Sequence, residues 1–123
     1  MIKLVLMMTV QSAFLVTSQL FLKLGISKIP ADGISLLKKS LLFVTNIWVL
    51  LSVISMGVAA VIWLYVLKHY DFSAAYPLVS ISYILVVPIS YFILKENINS
   101  MLIAGILFIL MGVFLITQSK SIQ

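Results

Sequence analysis

Ser12, Gln19 and Lys23 recur at spacings of seven and four within one apolar stretch, with Gln11 and Ser18 beside them. On a helix that spacing sets the three along one face. A buried amide must find a hydrogen-bond partner, and a lysine at the centre of a bilayer costs about 2.5–3.5 kcal/mol. Two readings fit Lys23. Near the end of its stretch it can snorkel to headgroups; with Gln19 beneath it, it can instead meet an anionic headgroup, for which an ammonium is a suitable point charge. A second set lies further along, where Tyr76, Ser80 and Tyr83 fall at helical spacing and Val87 and Tyr91 continue the stripe. Tyr91 and Tyr70 suit an aromatic belt. Tyr83 sits near the middle of its stretch, where an unpaired hydroxyl is expensive, and so points to a lined cavity. Gln11, Gln19, Lys23, Tyr76, Ser80 and Tyr83 are therefore the expected binding residues, and a cation among amides and hydroxyls favours a negative cargo.

What the chain lacks narrows the class further. Asp32, Asp71 and Glu96 all fall at turns, and no acidic residue lies within an apolar run. The sequence holds no Ser/His/Asp or Cys/His set, no Gly-rich phosphate loop and no cysteine. His69 and Asp71 share a turn, but a metal site needs more ligands than these. No enzymatic activity, metal or other cofactor is expected. Proton-driven transport usually relies on an intramembrane carboxylate or histidine, which is missing.

The elements that must position these residues are membrane helices. The chain has 123 residues, 63% hydrophobic and 9% charged, with mean hydropathy +1.27; an ordinary soluble domain is about half apolar and a quarter charged. A soluble fold of this size has no way to hide so much apolar surface. The net charge of +5 comes from lysines, and in a membrane chain such an excess belongs at headgroup boundaries, with no nucleic-acid partner implied. Four apolar runs stand out, at about 4–24, 46–67, 72–94 and 101–116. Each approaches the ~20 residues needed to cross a hydrocarbon core, and helices are the conformation that satisfies backbone amides there. The first run is too long for a secretory signal and lacks a small-residue cleavage pattern before Lys28, so it is read as a mature helix. The expected fold is an all-α, four-helix transmembrane bundle in a single domain over 1–123, multi-pass in the cell membrane.

Finer features follow from punctuation and residue size. Pro30 and Gly33 mark a turn after the first run. The stretch from Ile34 to Ser40 either lies in the interface as a short amphipathic piece or extends the second helix beyond the membrane. Pro77 and Pro88 remove amide donors and are candidate helix bends. Ser52, Ser55, Gly57 and Ala59 favour close helix packing, while Trp63 and Tyr65 read first as interface anchors. Gly105 and Gly112, seven apart, form a smooth seam for another helix, within the chain or in a dimer. Lys28, Lys38, Lys39 and Lys95 lie in the first and third loops, against Lys3, Lys68 and Lys120 on the other side. By the positive-inside rule the first and third loops are cytoplasmic, by one lysine.

Several of these residues carry a family resemblance. The run from Val61 to Leu67, including Trp63, followed by Phe72-Ser73-Ala74-Ala75-Tyr76-Pro77-Leu78, resembles the small four-helix branch of the drug/metabolite transporter superfamily, which includes EamA-like and small multidrug resistance-like proteins. Within it, the Ala-Tyr-Pro block after a Trp-bearing helix is most similar to the small subunits of the flippase for undecaprenyl-phosphate-linked aminoarabinose. Ser18-Gln19-Leu20 with Lys23 resembles the Gly-Gln-Leu…Lys close of that group's first helix, with Ser18 in place of the glycine. Lys95-Glu96-Asn97-Ile98 is similar to the superfamily's Gly-Glu-type turn after the third helix. Gly105 to Gly112 resembles the fourth-helix seam by which small multidrug exporters dimerise. Those exporters carry a first-helix glutamate; aligned on Lys23, Leu15 stands there. The resemblance implies transport of an anionic lipid-linked sugar phosphate by a homodimer or a heterodimer with a related small subunit, among membrane lipids. A small multidrug or metabolite exporter, a non-transporting accessory subunit and a purely structural membrane protein are the rival classes.

Overall fold

The computed structural model describes residues 1–121, with side chains through Ser119; the Lys120 charge used in the topology reading lies outside the described side chains. Among the described residues the chain is all helical, in the order α1 (Ile2–Ser27), α2 (Leu36–Thr45), α3 (Ile47–His69), α4 (Phe72–Leu78), a 3-10 turn (Val79–Ile81), α5 (Ser82–Phe92) and α6 (Ser100–Ser121). Four helical segments are long and apolar enough to cross a membrane: Ile2–Ser27, Ile47–His69, Phe72–Phe92 and Ser100–Ser119. The first is longer at both ends than its apolar run, and the third ends earlier and is built of three pieces.

Asn46 decides how α2 relates to α3. Its backbone is extended (φ −74°, ψ 121°), so α2 does not continue into α3, and the reading of Ile34–Ser40 as a plain extension of the second helix is corrected. Its side-chain oxygen accepts the Trp48 amide at 3.0 Å, satisfying one of the amides that a helix start leaves unpaired. Its side-chain nitrogen donates to the Gly25 carbonyl at 3.0 Å, tying the end of α1 to the start of α3. At that crossing a Cβ on Gly25 would lie 3.1 Å from both Trp48 Cβ and Val49 Cγ2, a tight contact that glycine avoids, so the two backbones approach without displacing a neighbour. Phe21 and Trp48 pack with ring centroids 5.7 Å apart, and the Lys28 ammonium sits 4.7 Å over the Trp48 ring.

α1 is the centre of the bundle, packing chiefly on α3 and also on α5, α4 and the 3-10 turn, whereas α6 leans on α4 and the 3-10 turn. The apolar core lies at one end, where Leu4 and Met8 of α1 meet Val66 of α3 and Ala75 and Leu78 of α4, with Trp63 and Val113 against it. Ala59, expected to serve packing, is buried, while nothing lies within 4 Å of a Cβ built on Gly57. Pro77 lies inside α4, and the chain tightens into the 3-10 turn two residues later; Pro88 lies within α5.

Candidate functional site

At the opposite end from the apolar core, α1 and α5 diverge around a cavity of about 260 Å3. Val16, Gln19, Leu20 and Lys23 of α1 form one wall, Val86, Ile89 and Ser90 of α5 the other, and Leu94 and Glu96 close the end. α1 is suited to this because its polar positions recur at helical spacing and so share a face.

The residue that completes the cavity is Glu96, which pairs with the Lys23 ammonium. Sequence reasoning places Glu96 in a turn and leaves the groove without a carboxylate; the fold overturns that. The chain reverses at Lys95, whose φ of 54° is the left-handed conformation that side chains rarely adopt. The Glu96 amide then donates to the Ser90 carbonyl at 2.9 Å, which turns the carboxylate back toward α1. The Lys23 ammonium beside it, by hydrogen bond and charge, holds the Glu96 carboxyl below its ordinary value, and a hydrogen bond with the Ser90 side chain acts in the same direction. The two side chains remain 55% and 42% exposed, so the pair is open to competing ions. Lys23 accordingly has a carboxylate partner within the chain. The long-range signal, a lysine in α1 and a glutamate 73 residues later, is not visible in local patterning.

The other expected binding residues lie elsewhere. Gln11 is buried with its side-chain oxygen unpaired, as is the hydroxyl of the wholly buried Ser12 beside it. Both atoms are polar groups without the partner that burial demands. Tyr76, Ser80 and Tyr83 line a separate hollow of about 250 Å3 with Pro77, Val79 and Ser82. Tyr76 and Tyr83 are exposed on the outside of the single chain, Tyr76 packing on Phe72 and Trp63 at centroid distances of 5.0 and 6.2 Å. Tyr83 also borders an apolar gap of about 190 Å3 between α5 and α6, with Val87, Leu107 and Leu110. A single chain thus brings Gln19 and Lys23 together but not the tyrosine set. Gly105 and Gly112 face open space, nothing lying within 4 Å of a Cβ built on either.

The sequence model of the EamA-like transporter family matches residues 2–118. This chain belongs to the EamA-like transporter family. By that family and by four candidate spans among the described residues it is a multi-pass membrane protein. Among curated proteins it is 35% identical over 122 residues to the probable 4-amino-4-deoxy-L-arabinose-phosphoundecaprenol flippase subunit ArnF of Proteus mirabilis, covering 89% of this chain and 88% of that one. It is 33% identical over 72 residues to the corresponding subunit ArnE of Pectobacterium atrosepticum, covering 58% and 64% of the two chains. It is 30% identical over 69 residues to ArnE of Pseudomonas savastanoi pv. phaseolicola, covering 56% and 60%. The match therefore spans about three fifths of the length of these ArnE relatives. No solved structure matches the chain.

Proposed function

We propose that this EamA-family chain is one subunit of a flippase that moves an anionic lipid-linked sugar phosphate across the bilayer, as a dimer with an identical or related small subunit. The observation that carries the reading is a cation at the end of α1, beside Gln19, in a cavity whose only fixed anion is exchangeable. A substrate phosphate and the Glu96 carboxylate compete for the same ammonium. Glu96 then acts as a placeholder that keeps Lys23 partnered between cargoes and leaves when a phosphate arrives. The names of the relatives, which describe flippase subunits for a sugar-phosphoundecaprenol, support the class of cargo.

A cavity of about 260 Å3 is too small and too open for a sugar-phosphate head and its attached lipid. A second chain supplies the missing wall. In that assembly Tyr76, Ser80 and Tyr83 join Gln19 and Lys23 around the head, Gln11 taking part only if its buried side chain is uncovered, and the polyprenyl tail stays in lipid along the apolar gap between α5 and α6. Alternation follows by rocking of one half against the other, with Pro77 and Pro88 as bends.

The test is side-specific transfer of a polyprenyl-phosphate glycolipid in proteoliposomes holding the chain with its partner. Lys23→Ala abolishes transfer while insertion and assembly persist; unchanged transfer removes Lys23 from the site. A second reading, export of a cationic solute, is favoured by the presence of Glu96 in the cavity. The two part at Glu96→Gln: the flippase keeps transferring, whereas a cation exporter loses activity and its transport collapses with the proton gradient.

A further inference from the structure

A second, larger hollow lies away from Lys23, between the end of α1 and α2. It has a volume of about 750 Å3, with walls formed by Ile26, Ile29 and Pro30 on one side and Phe43 and Val44 of α2 on the other. Nothing in α2 is buried, and Leu36, Leu37 and Leu41 are exposed beyond it. A ten-residue helix so apolar, placed beside a membrane span, rests its apolar face at the headgroup–acyl boundary. The polar part of the lining is nearly all satisfied. Ser27 donates to the Leu24 carbonyl at 2.8 Å and Ser40 to the Leu36 carbonyl at 3.0 Å. Lys39 is the exception: its ammonium donates to the Ala31 carbonyl and has two further protons to offer. Lys38 stands next to it and Lys28 lies at the same end of the bundle; of the acids at that end, Glu96 is paired with Lys23, which leaves Asp32 in the loop between α1 and α2.

An apolar trough with a lysine at its rim has the chemistry of a phospholipid: acyl chain on the walls, phosphate on the ammonium. We infer that the hollow between α1 and α2 is a binding site for an anionic bilayer phospholipid, with Lys39 as its phosphate ligand. The site is distinct from the cavity at Lys23 and does not depend on what that cavity carries. Basic pockets beside membrane helices hold anionic headgroups for this reason, and each lysine near such a surface strengthens binding by about fivefold.

The measurement is retention of phosphatidylglycerol against phosphatidylcholine by the purified full chain in detergent, read by native mass spectrometry. The chain retains phosphatidylglycerol preferentially. Lys39→Gln, which can still donate to Ala31 but has no charge, lowers that preference about fivefold, and Lys39→Arg preserves it. Lys68→Gln, a lysine at the far end of α3, leaves it unchanged. Equal retention of the two lipids, an unaltered preference in Lys39→Gln, or equal loss in Lys39→Gln and Lys39→Arg overturns the site. Loss of a protein dimer in Lys39→Gln, without loss of lipid, overturns it too and gives the hollow to a second copy of the chain.

Discussion

α1 and α6 are both long and apolar enough to cross a membrane, yet the chain treats them in opposite ways. Of α1's span 33% is buried inside the chain; of α6's, 0%. The buried helix is the more polar one. α1 places Gln11, Ser12 and Ser18 in the interior, while Met101 to Ile116 of α6 contains no polar side chain. In water the order would be reversed. In lipid an apolar side chain gains little by leaving the tails, so polar groups and close packing decide what goes inside. Apart from the side that leans on α4 and the 3-10 turn, α6 is left facing lipid or another chain, and α1 becomes the scaffold on which α3, α4 and α5 assemble.

Substitutions of one residue type in the two helices break or sharpen this contrast. Met8 in α1 is completely buried, whereas Met111 in α6 is 60% exposed. Met8→Ala leaves a void and lowers stability by about 2–5 kcal/mol, while Met111→Ala changes it by no more than about 0.5 kcal/mol. Thermal unfolding in one detergent measures both, and equal effects would remove the distinction between inner and outer helix. Glycines extend the comparison at a smaller scale. Gly25→Val forces a side chain against Trp48 and the Val49 backbone and costs about 1–3 kcal/mol through overpacking. Gly105→Leu and Gly112→Leu meet open space within the chain, so the unfolding midpoint of the single chain stays put. If the proposed dimer uses this seam, the same two changes weaken association in crosslinking or sedimentation; undiminished association assigns dimerisation to another face.

Much of this architecture is legible in the chain's apolar runs, because a membrane span must be long, apolar and helical. The four spans follow directly from that. The break before α3 was also within reach, since Asn46 is a residue type that caps helices and sits between two apolar stretches. Contacts across the bundle were not. Glu96 lies in a polar turn, and nothing near it in sequence indicates that a left-handed Lys95 aims it at Lys23. The similarity of this turn to a Gly-Glu type was a partial signal, because glycine is the residue that takes such a conformation without strain. The tyrosine set shows the converse: Tyr76, Ser80 and Tyr83 line one hollow, as residues at helical spacing on one face can, but spacing within a helix says nothing about whether that hollow is shared with α1.

The smallest expected effect concerns the ion pair that α1 makes with the turn after α5. In the folded chain Lys23 holds the Glu96 carboxyl below its ordinary value, so the folded state takes up that proton at lower pH than the unfolded state. The stabilisation is therefore complete above the unfolded carboxyl's pKa and is lost as pH falls through the lowered folded value. Because both side chains are substantially exposed, solvent and salt screen most of it. The difference in unfolding midpoint between the wild type and Glu96→Gln should be small and constant near neutral pH, then close in the acid range, and added salt should shrink it throughout. Lys23→Ala should abolish the acid dependence in the same way, since it removes the cause of the shift. Met111→Ala, in a helix stretch without an ionisable side chain, should track the wild type at every pH. Glu96→Gln keeps the backbone bond to Ser90, so a wild-type difference that persists undiminished through the acid range would mean that the Glu96 side chain acts by something other than its charge, leaving Lys23 free of any resident anion.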